Sequence, residues 1–271
     1  MAPKRHLARF FSNLYWFLIQ GRTGLKESFE DVYSVEHYGP TFRQIYADTF
    51  GDEYAEEVDA CGFTTKTDLE NLKDRLELKQ DELLGDLACG RGGNGLYIAR
   101  ELGVRLKGLD LSEKAVATAQ KRIDSFGMQH RAEFVSGDIR ELPYKNDEFD
   151  AALCVDTLYM VPDKRAALHE IARIVKPNRV FAVLTWEMHI PFAVKDYRPL
   201  FEECGFKVDS YDEIPGWYER QKGIFEGFLK HRNTLIEEMG AKTAAVWINC
   251  AKTELPKLDK MRRVFIVARP R

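Results

Sequence analysis

The chain has 271 residues, of which 40 are basic and 43 acidic, so its formal net charge is only −3. This length can bury one large hydrophobic core with additions. The near balance of charge excludes a whole-protein field that would attract a polyanion such as nucleic acid. Five cysteines without a C-x-x-C pair argue against a disulfide framework and favour a reducing cytoplasm. No run reaches the roughly 18–20 apolar residues that a membrane-spanning helix needs.

The first twenty residues place three basic side chains before an apolar cluster at residues 10–19. Polar residues interrupt this cluster and no small-x-small cleavage pattern follows it, which disfavours a signal peptide. The spacing of the apolar residues instead predicts an amphipathic helix. Such a helix can pack on the domain, on a second subunit of a homo-oligomer or on a membrane surface, and these alternatives stay open.

From residue 81 onward, short apolar runs alternate with helical patterns, which predicts an α/β fold with a doubly wound, mostly parallel seven-stranded sheet. The predicted strands are 83–88, 104–109, 132–135, 149–155, 180–186, 206–211 and 263–268. The predicted helices between them are 94–102, 113–126, 164–175 and 197–204.

Two further regions lie outside this alternation. Residues 1–80 are mostly helical in pattern and predict an N-terminal extension or lid on the core at 81–271. Between the last two strands, a three-to-four spacing starts at Trp217 and a second helical pattern covers 244–250, which predicts a helical cap at about 215–258.

A glycine loop follows the first predicted strand. Gly90, Gly92 and Gly95 form a G-x-G-x-x-G pattern that opens a helix, and Asp110 ends the next strand twenty residues after Gly90. Glycines let a ligand approach the backbone and the helix N–H groups, while a carboxylate at the next strand end accepts hydrogen bonds from ribose hydroxyls. This pattern suits an adenosyl ligand as well as a dinucleotide.

The surroundings of this loop resemble the class I S-adenosylmethionine-dependent methyltransferases, small-molecule type, which have a Rossmann-like fold. The resembling motifs are LGDLACGRG at 84–92, GLDLS at 108–112, GDI at 137–139, the segment 149–156 and LHEIARIVKP at 168–177. An acidic residue four positions before the first loop glycine is typical of this family, whereas NAD enzymes usually have an apolar residue there. Ala88 replaces a usual glycine, and Arg91 stands where a small hydroxyl residue is common.

The resemblance implies S-adenosyl-L-methionine as cofactor and a set of residues that bind it. Asp86 and the loop would hold the methionine end, Asp110 the ribose hydroxyls and Asp138 the adenine amino group. The full implied set is Asp86, Ala88, Gly90, Gly92, Asp110, Leu111, Asp138, Ile139 and Asp156.

The methyl acceptor is expected to be a small molecule, because no charged groove for a histone or a nucleic acid is legible. A general base would come from residues just past the fourth and fifth strands, and the candidates are Tyr159, Glu187 and His189. Aromatic residues that could wall an acceptor pocket are Phe63, Trp186, Trp217, Tyr218 and Phe225. The histidines and cysteines lack metal-ligand spacing, so no metal is predicted.

Two alternatives remain at this point. An NAD(P)-dependent oxidoreductase shares the glycine loop and Asp110 but leaves Asp86 and Asp138 unexplained. A non-catalytic cofactor-binding protein would keep the fold without the chemistry, and the absence of an unambiguous base leaves it open.

Overall fold

The computed structural model describes residues 22–34, 38–59, 62–191 and 193–271. The amphipathic helix predicted within the first twenty residues lies outside these ranges. Across the described residues, no helix is long and apolar enough to cross a membrane.

Seven strands form one sheet at the centre of the molecule. They are β1 Leu83–Leu87, β2 Arg105–Asp110, β3 Ala132–Ser136, β4 Phe149–Val155, β5 Val175–Met188, β6 Phe206–Glu213 and β7 Met261–Pro270. Their order is β3-β2-β1-β4-β5-β7-β6. The first five strands pair in parallel, and β7 runs antiparallel to both β5 and β6. The predicted Rossmann-like, mostly parallel seven-stranded sheet is confirmed.

The fifth strand begins earlier than the sequence predicts. The preceding helix ends at Ile174, as expected before a proline, but the chain then becomes extended at once and Val175 pairs with Phe149. Pro177 stops a helix and still permits extended backbone. The pairing is irregular here, and Asn178 has a positive φ of 61°, which lets the strand continue past the irregularity.

Ten helices surround the sheet or extend from it among the described residues. Three precede the sheet: α1 Arg22–Val32, α2 Pro40–Phe50 and α3 Lys66–Arg75. Four alternate with the strands: α4 Gly93–Leu102, α5 Glu113–Arg122, α6 Lys164–Ile174 and α7 Arg198–Glu203. Three form the predicted cap between β6 and β7: α8 Trp217–Lys230, α9 Arg232–Met239 and α10 Ala241–Glu254. The cap contains one helix more than the spacing predicts, because the irregular stretch after Lys230 starts a new helix.

Several helices begin where a side chain accepts a free backbone N–H. Thr65 and Asp68 form a capping box at α3, with each side chain accepting from the backbone of the other. Ser112 accepts from Ala115 at the start of α5, and Asp163 accepts in the same way at α6. Helix α4 is different, because its N-cap is Gly92 and no side chain caps it. One of its first N–H groups, at Gly95, instead donates to the carboxylate of Asp86 in β1.

The hydrophobic residues form three clusters, one on each face of the sheet and one beneath the cap. The third, here called the cap cluster, joins α2, the end of β5 and the cap helices. Its buried members are Tyr38, Phe42, Ile45, Tyr46, Phe50, Trp186, Trp217, Ile224, Phe225, Phe228, Leu235, Met239, Ala244, Ile248, Ala251, Leu258 and Met261. Phe63, Tyr159 and Trp247 are partly buried against it. The cap cluster therefore lies at the carboxyl end of the sheet.

Candidate cofactor and acceptor site

The loop after β1 turns sharply before α4 begins. Ala88, Gly90 and Gly92 have positive φ angles of 61°, 54° and 74°, a region that favours glycine. Ala88 thus adopts a left-handed backbone conformation at the position where the family that the sequence resembles usually has glycine. A side chain at Gly90 would come within 2.8 Å of the Tyr33 hydroxyl, so only the bare backbone fits beneath that tyrosine.

Asp86 is buried at the centre of the sheet, directly below the loop. Its Oδ2 accepts a hydrogen bond of 3.1 Å from the backbone N of Gly95, and any side chain at Gly95 would clash with this carboxylate. The glycine therefore lets α4 approach β1 closely. Burial raises the pKa of Asp86 to about 7, the Gly95 hydrogen bond opposes this, and the charge of Asp110 adds to it.

Asp110 connects the glycine loop to the start of α5. Its Oδ2 accepts from Gly90 N at 2.8 Å and its Oδ1 from Ser112 N at 2.9 Å. Burial raises the pKa of Asp110 to about 6; the two N–H groups lower it, and the nearby carboxylate of Glu30 raises it further. Asp86 of β1 and Asp110 of β2 are thus two buried carboxylates on neighbouring strands. No cation is among the groups that shift their pKa values.

The residues just after β3 lie beside Asp110, because Gly137 N donates to the Asp110 carbonyl oxygen at 2.9 Å. Ile139 is buried, as expected of a residue that packs beside a ring. The Asp138 carboxylate is already engaged: its Oδ2 lies 2.8 Å from Arg140 Nη2, and its Oδ1 accepts from Arg140 Nε at 2.9 Å. An adenine amino group would share Asp138 with this guanidinium.

Asp156 has a different setting from the other predicted cofactor residues. Both of its oxygens accept from Arg263 at 3.0 Å, and Oδ2 also accepts from Phe63 N at 2.9 Å. Arg263 donates a further hydrogen bond of 2.7 Å to Asp68 of α3. All three charged side chains are buried. This ion triad joins β4, β7 and the segment that leads into α3, and it engages the carboxylate for which a cofactor role was predicted.

The structure does not support the base role predicted for Glu187. Successive strand residues point to opposite faces of a sheet, and Trp186 belongs to the cap cluster, so Glu187 faces away from it. The Glu187 carboxylate is fully buried, where it accepts from the Tyr211 hydroxyl and from Arg262 Nε, the latter at 2.7 Å. It is an ion-paired structural carboxylate at the opposite face.

The other two base candidates also differ in setting. His189 is exposed, and its backbone N donates to the Lys260 carbonyl oxygen. Tyr159 lies in the short turn Leu158–Met160 and packs against the cap cluster. Burial raises the pKa of the Tyr159 phenol well above its usual range, and the charge of Asp156 acts in the same direction. Tyr159 is therefore protonated at neutral pH and suits the role of hydrogen-bond donor.

Helix α1 lies across the cofactor edge and the cap. Lys26 Nζ lies 2.7 Å from Glu113 Oε1 at the start of α5, and Asp31 Oδ1 lies 2.7 Å from Lys242 Nζ of α10. The Ser34 and Thr243 hydroxyls are 2.9 Å apart. A single segment thus touches both halves of the candidate site.

Glu254 was missed by the sequence reasoning. It shares one face of α10 with Trp247 and Cys250, at helical spacing, and its charge acts on both Cys250 and Tyr159. Its Oε1 lies 3.2 Å from Lys257 Nζ, while its buried Oε2 has no hydrogen-bond partner among the described residues. Helical spacing would have placed Glu254 beside Trp247, but only the fold places the pair near Tyr159.

No group of three or more His, Cys, Asp or Glu side chains could hold a metal ion within the part of the chain that the structure describes.

Residues 85–178 match a protein family that is described as a methyltransferase domain. The methyltransferase GfsG of Streptomyces halstedii is 30% identical over 114 residues, which are 42% of this chain and 41% of that protein. The norajmaline N-methyltransferase of Rauvolfia serpentina is 31% identical over 116 residues, 43% of this chain and 39% of that protein. The chain thus spans about two fifths of the length of these curated relatives.

One solved structure with a similar fold is phosphoethanolamine N-methyltransferase 2 of Haemonchus contortus, in complex with phosphomonomethylethanolamine and S-adenosylhomocysteine. It aligns with a TM-score of 0.66 and 16% identity, and the alignment covers 84% of this chain and 56% of that one. Together with the sheet order, these matches show a Rossmann-like fold in which residues 85–178 match a methyltransferase domain.

Proposed function

We propose that this protein transfers a methyl group from S-adenosylmethionine to a small molecule bound beneath the cap. The observation that carries the proposal is the pair of buried carboxylates, Asp86 and Asp110, on either side of the glycine loop. Both have pKa values raised by burial, to about 7 and about 6. Such groups are candidates for a binding function, because a ligand that supplies a cation or hydroxyl groups would stabilise their ionised forms.

The residues of the loop fit this cofactor. The ammonium of its methionine end would pair with Asp86, and the ribose hydroxyls would donate to Asp110, which keeps free lone pairs beside its two backbone partners. Leu111, Ile139 and Asp138 would contact the adenine ring at the ends of the neighbouring strands β2 and β3. Ala88, Gly90 and Gly92 supply the bare loop backbone.

S-adenosylmethionine supplies an electrophilic methyl group, so the protein's main task is to align a nucleophile with it. Alignment of this kind can contribute on the order of 7–11 kcal/mol to lowering a barrier. Tyr159 would orient the acceptor by donating its phenolic proton in a hydrogen bond. We infer that Glu254 receives the proton, since its Oε2 is buried without a hydrogen-bond partner among the described residues and its charge acts on Tyr159. His189 is exposed and would serve only an acceptor that reaches the rim.

The cap cluster supports a small acceptor with an apolar body, because aromatic side chains dominate it. The norajmaline enzyme and the phosphoethanolamine enzyme are named for small acceptors, and the acceptor atom of this chain stays open.

We further infer that residues 1–80 act as a lid on a core at 81–271 with its cap at about 215–258, since α1 touches both α5 and α10. The free thiols at the four described cysteines suit a cytoplasmic setting. Membrane contact and oligomer formation through residues 1–20 stay predictions.

A thermal-shift comparison tests the cofactor. S-adenosylhomocysteine is expected to raise the melting temperature, and NAD and NADP to leave it unchanged, because Asp86 and Asp138 suit an adenosyl amino acid. At a hundred times its dissociation constant, a ligand stabilises the folded protein by about 2.7 kcal/mol. A shift with the nicotinamide cofactors alone would favour the oxidoreductase alternative. Binding without methyl transfer to any acceptor would favour a non-catalytic protein.

Asp110→Ala is expected to weaken S-adenosylhomocysteine binding by roughly ten- to two-hundredfold, because charge-assisted hydrogen bonds contribute about 1.5–3 kcal/mol. Ser112→Ala is the matched control. It removes the cap of α5, which accepts from Ala115 N at 3.1 Å, and should lower the free energy of unfolding by about 0.5–2 kcal/mol without changing the affinity. Titration calorimetry and urea unfolding of both variants measure the two effects. Equal loss of affinity in both variants would contradict the ribose role of Asp110.

A further inference from the structure

One face of α10 carries three side chains at helical spacing, Trp247, Cys250 and Glu254. Trp247 and Cys250 are partly buried against the cap cluster, and so is Tyr159 in the turn after β4. Burial is the largest influence that raises the pKa of the Tyr159 phenol, and Cys250 and Glu254 raise it further. The phenol therefore lies close to this face of the helix. Trp247, Cys250, Glu254 and Tyr159 are together called the Glu254 site.

Buried polar atoms without a hydrogen-bond partner are concentrated beneath the cap. Within the ranges that the structure describes, Trp247 Nε1 and Glu254 Oε2 are two such atoms, and Trp186 Nε1 and Gln221 Oε1 are two more. About 90% of the buried polar groups in proteins have a partner. A region that gathers several unpaired donors and acceptors is suited to bind a molecule that has polar groups as well as an apolar body.

Glu254 supplies the negative charge of the site. Its Oε1 lies 3.2 Å from Lys257 Nζ, farther than the roughly 2.7–2.9 Å of a close charge-assisted hydrogen bond. Both side chains of this pair are more than a fifth exposed, so the pair contributes little. Oε2, in contrast, is buried and has no partner among the described residues. A buried carboxylate oxygen is costly unless a cation or a strong donor compensates it.

The other polar side chains around this oxygen are neutral or already paired. Burial raises the pKa of the Cys250 thiol to about 12, and the charge of Glu254 adds to this effect. Tyr159 is protonated at neutral pH. Asp156, whose charge also acts on Tyr159, is engaged through both oxygens by Arg263. Glu254 Oε2 is therefore the anionic position that the site offers to a ligand.

Two aromatic side chains, Tyr159 and Trp247, belong to the same site. The faces of phenol and indole rings attract cations. At the far end of the row, the ring of Trp247 packs at 5.9 Å from the ring of Tyr38, and the guanidinium carbon of Arg91 lies 4.9 Å from that tyrosine ring. Like charges repel. A bound cation is therefore favoured beside Glu254, with its apolar body directed toward Trp247.

We propose that the Glu254 site binds the protonated amino group of an amine acceptor, so that the methyl group is transferred to nitrogen. The inference rests on the proposed function for the transfer itself. An ammonium group compensates the carboxylate and is attracted to the rings, whereas a hydroxyl group supplies one neutral donor. The bound ammonium transfers one proton to Glu254. Its nitrogen lone pair then forms the bond to the methyl carbon while the carbon–sulfur bond breaks and leaves its electron pair on sulfur. The product departs as an ammonium ion, and Glu254 returns its proton to solvent.

Titration calorimetry at neutral pH with matched pairs of probes tests the site. 2-Phenylethylamine and 2-phenylethanol share an aromatic body and differ in an ammonium against a hydroxyl group, and octylamine and 1-octanol form the corresponding aliphatic pair. Each probe is titrated with and without saturating S-adenosylhomocysteine. The proteins are wild type, Glu254→Gln, Lys257→Met and the control Glu226→Gln, which removes the same charge at an exposed position of the cap helix α8.

Wild-type protein should bind at least one amine roughly ten- to hundredfold more tightly than the matched alcohol, because the alcohol lacks the charge that Glu254 compensates. Glu254→Gln should remove this preference and keep the affinity for the alcohol. Lys257→Met removes the competing cation and should strengthen amine binding. Glu226→Gln should keep the preference within about threefold, because exposed charges act weakly.

Three outcomes would overturn the site: no amine binds to the wild-type protein, amine and alcohol bind equally, or the preference survives in Glu254→Gln. If Glu254→Gln does not fold, Lys257→Met decides, since tighter amine binding would support the site and unchanged or weaker binding would refute it. A wild-type protein that does not bind S-adenosylhomocysteine would instead refute the proposed function. An amine preference that depends on Glu254 in the ligand-free protein would then still support the cation site.

Discussion

Asp86→Asn is expected to stabilise the ligand-free protein at pH 8 while it weakens S-adenosylhomocysteine binding. Burial raises the pKa of Asp86 to about 7, above the roughly 3.9 of an unfolded chain. The folded state therefore binds the proton more tightly, and the stability from Asp86 is present below about pH 4 and is lost as the pH rises through about 7. An uncharged side chain avoids this loss, which amounts to roughly 2–4 kcal/mol. Urea unfolding at pH 8 measures the gain.

Asp150→Asn is the control of opposite sign. Burial acts to raise the pKa of Asp150, but hydrogen bonds from Lys176 and from Leu83 N outweigh it, so the net pKa is lowered. Asp150 thus contributes stability above the unfolded pKa, and its replacement should destabilise the protein at pH 8. A loss of stability in Asp86→Asn as well, with unchanged affinity for S-adenosylhomocysteine, would make Asp86 a structural carboxylate.

Arg263→Met is expected to lower the free energy of unfolding by about 3–5 kcal/mol, because it leaves two buried carboxylates without their cation. Arg263 donates to both oxygens of Asp156 and to Asp68. Methionine keeps much of the side-chain volume, so the lost ion pairs dominate the effect. Chemical denaturation at pH 8 measures it. Weaker S-adenosylhomocysteine binding should accompany the loss, since the triad holds the segment at Phe63 against β4.

Arg269→Met is the matched control on the same strand. Arg269 also has two acidic partners, Glu77 and Asp209, but its side chain is 22% exposed. Surface ion pairs contribute about 0–1 kcal/mol, so this variant should unfold close to wild type. An Arg263→Met variant as stable as Arg269→Met would show that the triad does not hold the fold together.

The sheet and the glycine loop could be predicted from the sequence because they rest on local signals. Apolar runs of strand length, all but the third followed by a helical pattern, mark the parallel strands. Asp86 also follows from local reasoning, since a carboxylate inside an apolar strand needs a ligand or a partner.

Asp156 shows where such reasoning ends. Its cation is Arg263, 107 positions away in the sequence, and no local pattern connects two strands at that separation. The sequence does not indicate that this carboxylate would be engaged before any cofactor arrives.

For Glu187, the sequence itself contains a local signal against the base role. Trp186 and Glu187 are adjacent in one predicted strand, so they cannot both face the cap. A strand that presents Trp186 to the acceptor pocket therefore turns Glu187 away from it. Helical spacing groups Glu254 with Trp247, but the sequence places neither Glu254 nor Tyr33 at the site, because their positions depend on how α10 and the segment after α1 pack over the sheet.

The dissociation constant of S-adenosylhomocysteine at pH 8 and at pH 6 tests most directly whether the buried carboxylates hold the cofactor. At pH 8 Asp86 is largely ionised, and at pH 6 it is largely protonated, given a pKa of about 7. Because the bound ammonium needs the ionised form, titration calorimetry should show binding about tenfold weaker at pH 6. The same comparison in Asp86→Asn should show at most about a twofold dependence, since only Asp110, with a pKa of about 6, still titrates in this range. Absence of binding at both values, or equal affinity at both in the wild-type protein, would contradict the assignment of Asp86 to the cofactor.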